Sequence, residues 1–86
     1  AERARGIHAR GAWERALEVF TAATRRFPAS WQAHANRGLI LEELGRPREA
    51  VAAYAAALRL VPDQAQVLEW SRRASARAAK PGTGDD

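Results

Sequence analysis

The chain has 86 residues, a formal net charge of +4 and a composition that is 47% hydrophobic, with no cysteine and no methionine. That length fits one small domain with a thin core, and without cysteine, disulfides and thiolate metal sites are excluded. Lys80 is the only lysine among fourteen basic residues, a balance that permits acidic partners or nucleic acid. A GC-rich genome, which favours Ala and Arg codons, gives the same balance, so charge alone decides nothing.

Residues 1–9 predict a short helix with Ala4 and Ile7 on one face, ending at Gly11, where a left-handed cap is easy for glycine. Residues 12–26 predict a second helix, with Trp13, Ala16, Leu17, Phe20, Ala23 and Thr24 recurring at the three-and-four spacing of a buried stripe. Pro28 cannot continue it, and Ser30 can cap the next helix through its hydroxyl. The third helix spans 31–44, with His34, Gly38, Leu41 and Leu44 inward. Gly45 and Pro47 make the following turn, Pro47 fitting the first turn of a helix over 47–60.

That fourth segment repeats the stripe as Ala50, Val51, Tyr54, Ala57 and Leu58, and Pro62 and Asp63 end it. The last helix, 63–79, turns Val67, Leu68, Ser71, Ala74, Ser75 and Ala78 toward its neighbour and Arg72, Arg73 and Arg77 away. Residues 80–86 are rich in Pro, Gly and acid, which predicts a disordered tail. The longest apolar run, Ala50 to Leu58, is mostly alanine and too short to cross a bilayer.

Shifted by 34 positions, the chain matches itself where helix packing is controlled: Gly11 on Gly45, Ala16 on Ala50, Phe20 on Tyr54, Ala23 on Ala57, Pro28 on Pro62. A period of this length marks a stacked helical repeat. Counted from Trp31, the pattern Gly38, Gly45, Ala50, Tyr54, Ala57, Pro62 resembles the tetratricopeptide repeat. Ala4, Gly11, Ala16, Phe20, Ala23 and Pro28 supply the same series one period earlier. Two departures stand out: His34 holds the place of the family's Trp and Arg37 that of its Leu. Arg72 and Ala79 replace the glycines one period further on, so no third hairpin follows.

The resemblance implies an all-α fold, a right-handed superhelix of antiparallel helix pairs. Its parts would be unit 1 (residues 1–29, short at its N-terminus), unit 2 (30–63), a capping helix (64–79) and a tail (80–86). The phase of the first unit favours a trimmed chain or a piece of a longer one over a processed mature protein. No signal peptide is visible, although one already removed would leave the same start.

Such arrays work as surfaces for other molecules. The resemblance implies a protein-interaction module, an adaptor or scaffold subunit that holds a peptide, a helix or an assembly surface on its concave face. The candidate residues there are Arg5, His8, Asn36, Leu39, Glu43, Trp70, Arg73 and Arg77, with Gln32, Ala35 and Glu42 beside them. Asn36 sits where family members bond a bound peptide's backbone, and Arg5, Arg73 and Arg77 suit carboxylates. The family's carboxylate clamp is not reproduced, because Ala1, Gln66 and Trp70 stand at places that need basic residues. An Arg-rich RNA-binding module is the alternative, with arginines on phosphate and tryptophans on bases. Trp31 is expected to fold onto a neighbouring helix end.

No catalytic constellation is present. His8 and His34 lack a second ligand at helical spacing, so no metal is expected, and His34 reads as an interior imidazole. Ser30, Ser71 and Ser75 have no His and acid arranged for nucleophilic attack, and no glycine loop is built to cradle phosphate. The expectation is a non-enzyme without cofactor, cytoplasmic, with a protein or peptide partner and no membrane insertion.

Overall fold

A computed structural model describes residues 2–79, with side chains from Arg10 onward. Four helices follow in order: α1 Glu2–Arg26, α2 Trp31–Glu43, α3 Pro47–Leu60 and α4 Ala65–Ala79. Each packs on the next, and α2 and α4 touch only lightly. Short connections make consecutive helices neighbours, as in other helix pairs. The tail expected over 80–86 lies outside the described residues.

The turns form where the sequence supplies their chemistry. Ser30, extended at φ −86° and ψ 102°, accepts a hydrogen bond on its hydroxyl from the Ala33 amide at 3.3 Å, satisfying one of the donors a helix start leaves open. Gly45 has φ +73°, the conformation L side chains rarely adopt. There the Arg46 amide donates to the Leu41 carbonyl and the Gly45 amide to the Glu42 carbonyl, both at 2.9 Å. This is the paired closure that ends many helices at glycine. Pro47 opens α3, and Glu49 in its first turn takes both arms of the Arg46 guanidinium at 2.8 Å.

The core lies between α2, α3 and α4. Ala35, Leu41, Ala50, Ala53, Tyr54, Ala57, Val67 and Ala74 are buried in one cluster. Small residues let the helices approach and the Tyr54 ring fills the space between them. A Cβ on Gly38 would run into that ring, within 2.7 Å of its Cδ1. Trp31 packs half-buried on the cluster, as expected.

Several expectations change. The break at Gly11 does not occur: α1 runs through it as one 25-residue helix. Arg10 stands where Leu44 stands one period later; Leu44 is buried and anchors the end of α2, whereas Arg10 is exposed. With Arg10 in the place of Leu44 and no proline after it, Gly11 stays helical at a penalty of about 1 kcal/mol relative to Ala. Leu68 and Ser75 face solvent, not the neighbouring helix. His34 is half-buried, not interior; its Nε2 reaches the Pro28 carbonyl at 3.0 Å, so the ring closes the loop before α2. Ala35 and Glu42, expected on the open face, are buried.

Candidate functional site

The apolar stripe of α1 faces α2, but nothing among the described residues covers it fully. Trp13, Ala16, Leu17, Phe20, Ala23 and Thr24 are all half-buried, whereas Tyr54, the counterpart of Phe20, is wholly buried. Between the two helices Trp13, Ala16, Phe20, Asn36, Leu39 and Ile40 bound an open groove of about 340 Å³. Arg37 ties the helices together beside it, its Nε donating to the Thr21 hydroxyl at 3.0 Å. Five of the six lining residues are apolar. Asn36 is exposed, and its amide offers both a donor and an acceptor, the complement of a peptide unit.

On its other side α2 meets α4 through charge. The Glu42 side chain is only 3% exposed, and its Oε1 accepts from Arg73 at 2.5 Å and from Arg77 at 3.5 Å. Among the described residues, the second Glu42 oxygen and the Tyr54 hydroxyl are buried without hydrogen-bond partners. Burial, and then the Glu42 carboxylate, push the Tyr54 hydroxyl up to about 12, so it stays neutral. The hydrogen bond to Glu42 raises the Arg73 guanidinium further. Trp70 leans on the same tyrosine, ring centroids 6.2 Å apart and tilted by 39°.

A second open space, again of about 340 Å³, lies at the α2–α3 turn against the end of α4, lined by Gly45, Arg46, Pro47, Arg48, Glu49, Arg77 and Ala78. Arg10 reaches the Leu44 carbonyl nearby at 3.4 Å. The bond to Arg46 holds the Glu49 carboxyl below its ordinary range, but both side chains are about half exposed, and pairs of that kind add little stability.

The structure thus groups the predicted residues in two sets. Asn36 and Leu39 share the apolar groove. Arg73 and Arg77 converge on Glu42. Glu43 is exposed on α2, and Trp70 is half-buried against Tyr54, not presented as a free ring. The side chains of Arg5 and His8 lie outside the described residues. Trp13, Phe20 and Ile40 were missed as groove residues. A stripe at helical spacing signals burial but does not say how completely a neighbour covers it. Glu42 was missed as a buried anchor, since its partners lie 31 and 35 residues downstream.

Among the described residues no His, Cys, Asp or Glu cluster is arranged for a metal ion, and no helix is long and apolar enough to cross a membrane. A family model described as tetratricopeptide repeat matches residues 9–65. Neither the curated proteins nor the solved structures return a match.

Proposed function

The chain belongs to the tetratricopeptide repeat family, whose repeats generally serve protein–protein interaction and are typically non-catalytic, and on that premise we propose that it is an adaptor or scaffold subunit holding a segment of a partner protein along α2. The observation that carries this reading is the groove in which Trp13, Phe20 and Leu39 form apolar walls under the exposed Asn36 amide. Concave, mainly apolar surfaces with a few placed polar groups are where ligands bind, and half-buried aromatics are frequent interface anchors. Asn36 pairs with the partner's backbone and Leu39 with an apolar side chain.

The RNA-binding alternative loses the support of two of its three tryptophans. Trp31 and Trp70 are committed to helix packing, and Glu43 stands exposed on the same helix as Asn36.

The test compares partner capture by the wild-type chain with Asn36→Ala and Leu39→Glu, with helicity followed by circular dichroism. Asn36→Ala is expected to weaken capture by about fivefold to tenfold, the worth of one or two hydrogen bonds, and to leave helicity unchanged. Leu39→Glu is expected to abolish it. Equal capture by all three proteins defeats the proposal.

A further inference from the structure

The 34-residue period sets one face of α1 beside its counterpart on α3: Ala16, Val19, Phe20 and Ala23 correspond to Ala50, Ala53, Tyr54 and Ala57. All four residues on α3 are buried, and none of the four on α1 is. The contrast is widest at Val19, which is 64% exposed where Ala53 is 4% exposed. A single apolar side chain in water is ordinary. Here a whole line that α3 seals stands open on its equivalent.

The neighbouring helices explain the difference. α3 packs against both α2 and α4, whereas among the described residues α1 packs against α2 alone. In the period, α2 stands to α1 as α4 stands to α3. The neighbour that α1 lacks is therefore the equivalent of α2, an antiparallel helix. Residues 1–9 are in phase with α2, yet they cannot supply that helix from within the chain. α1 continues through Gly11, which carries the backbone of residues 2–9 onward in line, away from Val19 and Ala23. Arg10 already reaches the Leu44 carbonyl at the end of α2, so the stretch before it runs on past α2. At 25 residues against 13, α1 is about 37 Å long and α2 about 20 Å.

We infer that the missing cover is α1 of a second copy of this chain, packed antiparallel along the line Ala12, Ala16, Val19 and Ala23. This rests on reading the groove as a binding surface and names its occupant, since Ala16 belongs to both the line and the groove. The line is self-complementary. Its alternating spacing of four and three continues in the sequence to Ala9 and Arg5, the periodicity of paired helices. That spacing reads the same in either direction, so a two-fold axis between Ala12 and Ala16 sets Ala12 of each copy against Ala16 of the other. One patch then serves both sides of the interface. Small side chains let the two backbones approach, and Ala12 is exposed and open to such an approach. Each copy offers the other the length of α1 that its own α2 leaves uncovered, and exchange of an identical element is a low-cost route to a dimer.

The test measures the mass of the full chain by sedimentation over a wide concentration range. The wild type is expected to pass from monomer to dimer. Val19→Glu, at a position exposed in the single chain, is expected to keep its helicity and to weaken the dimer at least about tenfold, because pairing would bury the new charge. The chain has no cysteine, so Ala12→Cys and Ala29→Cys, both at exposed positions, report the geometry through a short bismaleimide. Cross-linked dimers are expected from Ala12→Cys and not from Ala29→Cys, whose positions lie at opposite ends of an antiparallel pair. A chain that stays monomeric, a dimer indifferent to Val19→Glu, or cross-linking at Ala29 in place of Ala12 overturns the inference. The groove reading fails separately: a monomer that captures another protein and loses it in Leu39→Glu keeps the groove and removes only the second copy.

Discussion

Gly11 and Gly45 hold the same place in a 34-residue period, yet α1 passes straight through the first and α2 ends at the second. The difference lies in the neighbours. Gly45 is preceded by Leu41 and Leu44, both buried, and followed two residues later by Pro47. Gly11 follows Arg10 and precedes Ala12 and Trp13. A glycine permits a helix end; apolar anchors on one side and a proline on the other impose it. The consequence continues into packing. Past Gly45 the chain folds back and Tyr54 is sealed, while in the first unit Phe20 stays half-open and a groove remains beside it.

The largest effect that would break this comparison sits at Gly38, the glycine that lets α2 close over Tyr54. Gly38→Leu would drive a side chain into the ring and is expected to destabilise by about 3 kcal/mol or more, enough to abolish a cooperative melt in a domain this small. Ala50→Leu, at a position with no exposed surface, is expected to do the same. Thermal unfolding followed by circular dichroism reads both, and an unchanged melting temperature in either denies the close crossing.

Next come Gly45 and Gly11, which should respond in opposite directions. Gly45→Ala places a Cβ at φ +73° and is expected to destabilise by about 1–2 kcal/mol. A Cβ on Gly11 meets only the tip of Arg15, at 3.9 Å. Gly11→Ala is therefore expected to stabilise by up to about 1 kcal/mol through helix propensity. Denaturant titration of the pair checks this, and destabilisation by Gly11→Ala would mean that the residue turns in solution.

The smallest effect at neutral pH concerns Tyr54, whose counterpart Phe20 has no hydroxyl. Tyr54→Phe makes the two units alike and removes a buried, unpartnered hydroxyl, so stability is expected to hold or rise slightly. Alkali separates the two proteins. The folded-state value is raised from 10.0 to about 12, so the wild type keeps the proton where the unfolded chain has lost it. Its stability is complete below pH 10 and falls as pH climbs through 12. The phenylalanine variant should lack that part of the decline. Identical alkaline unfolding curves would place the hydroxyl in solvent.

Much of the fold was legible from one sequence because the repeat encodes it locally. The small residues Gly38, Ala50 and Ala57, the ring at Tyr54 and the punctuation at Ser30, Gly45 and Pro47 each act within a turn or one neighbouring helix. What escaped depends on distant partners. Glu42 looked like an exposed acid on a helix face, and only α4, arriving more than thirty residues later, buries it. Leu68 looked inward by spacing, but Val67 and Ala74 take the inner line of α4 and leave it 43% exposed. Of the proposed site, the places of Asn36 and Leu39 on α2 follow from the repeat position. The groove itself was not, because periodicity describes a stripe and not the completeness of its cover.

Glu42 also fixes what the last helix means to the rest of the chain. Its counter-ions, Arg73 and Arg77, come from α4, as do Val67 and Ala74 of the core cluster. A chain cut at Pro62 would strand a desolvated anion and strip the floor from under Tyr54 at one stroke. α4 is thus a structural member that locks by electrostatics and packing together, and a shortened chain would lose the scaffold of the proposed binding surface before it lost any residue lining the groove.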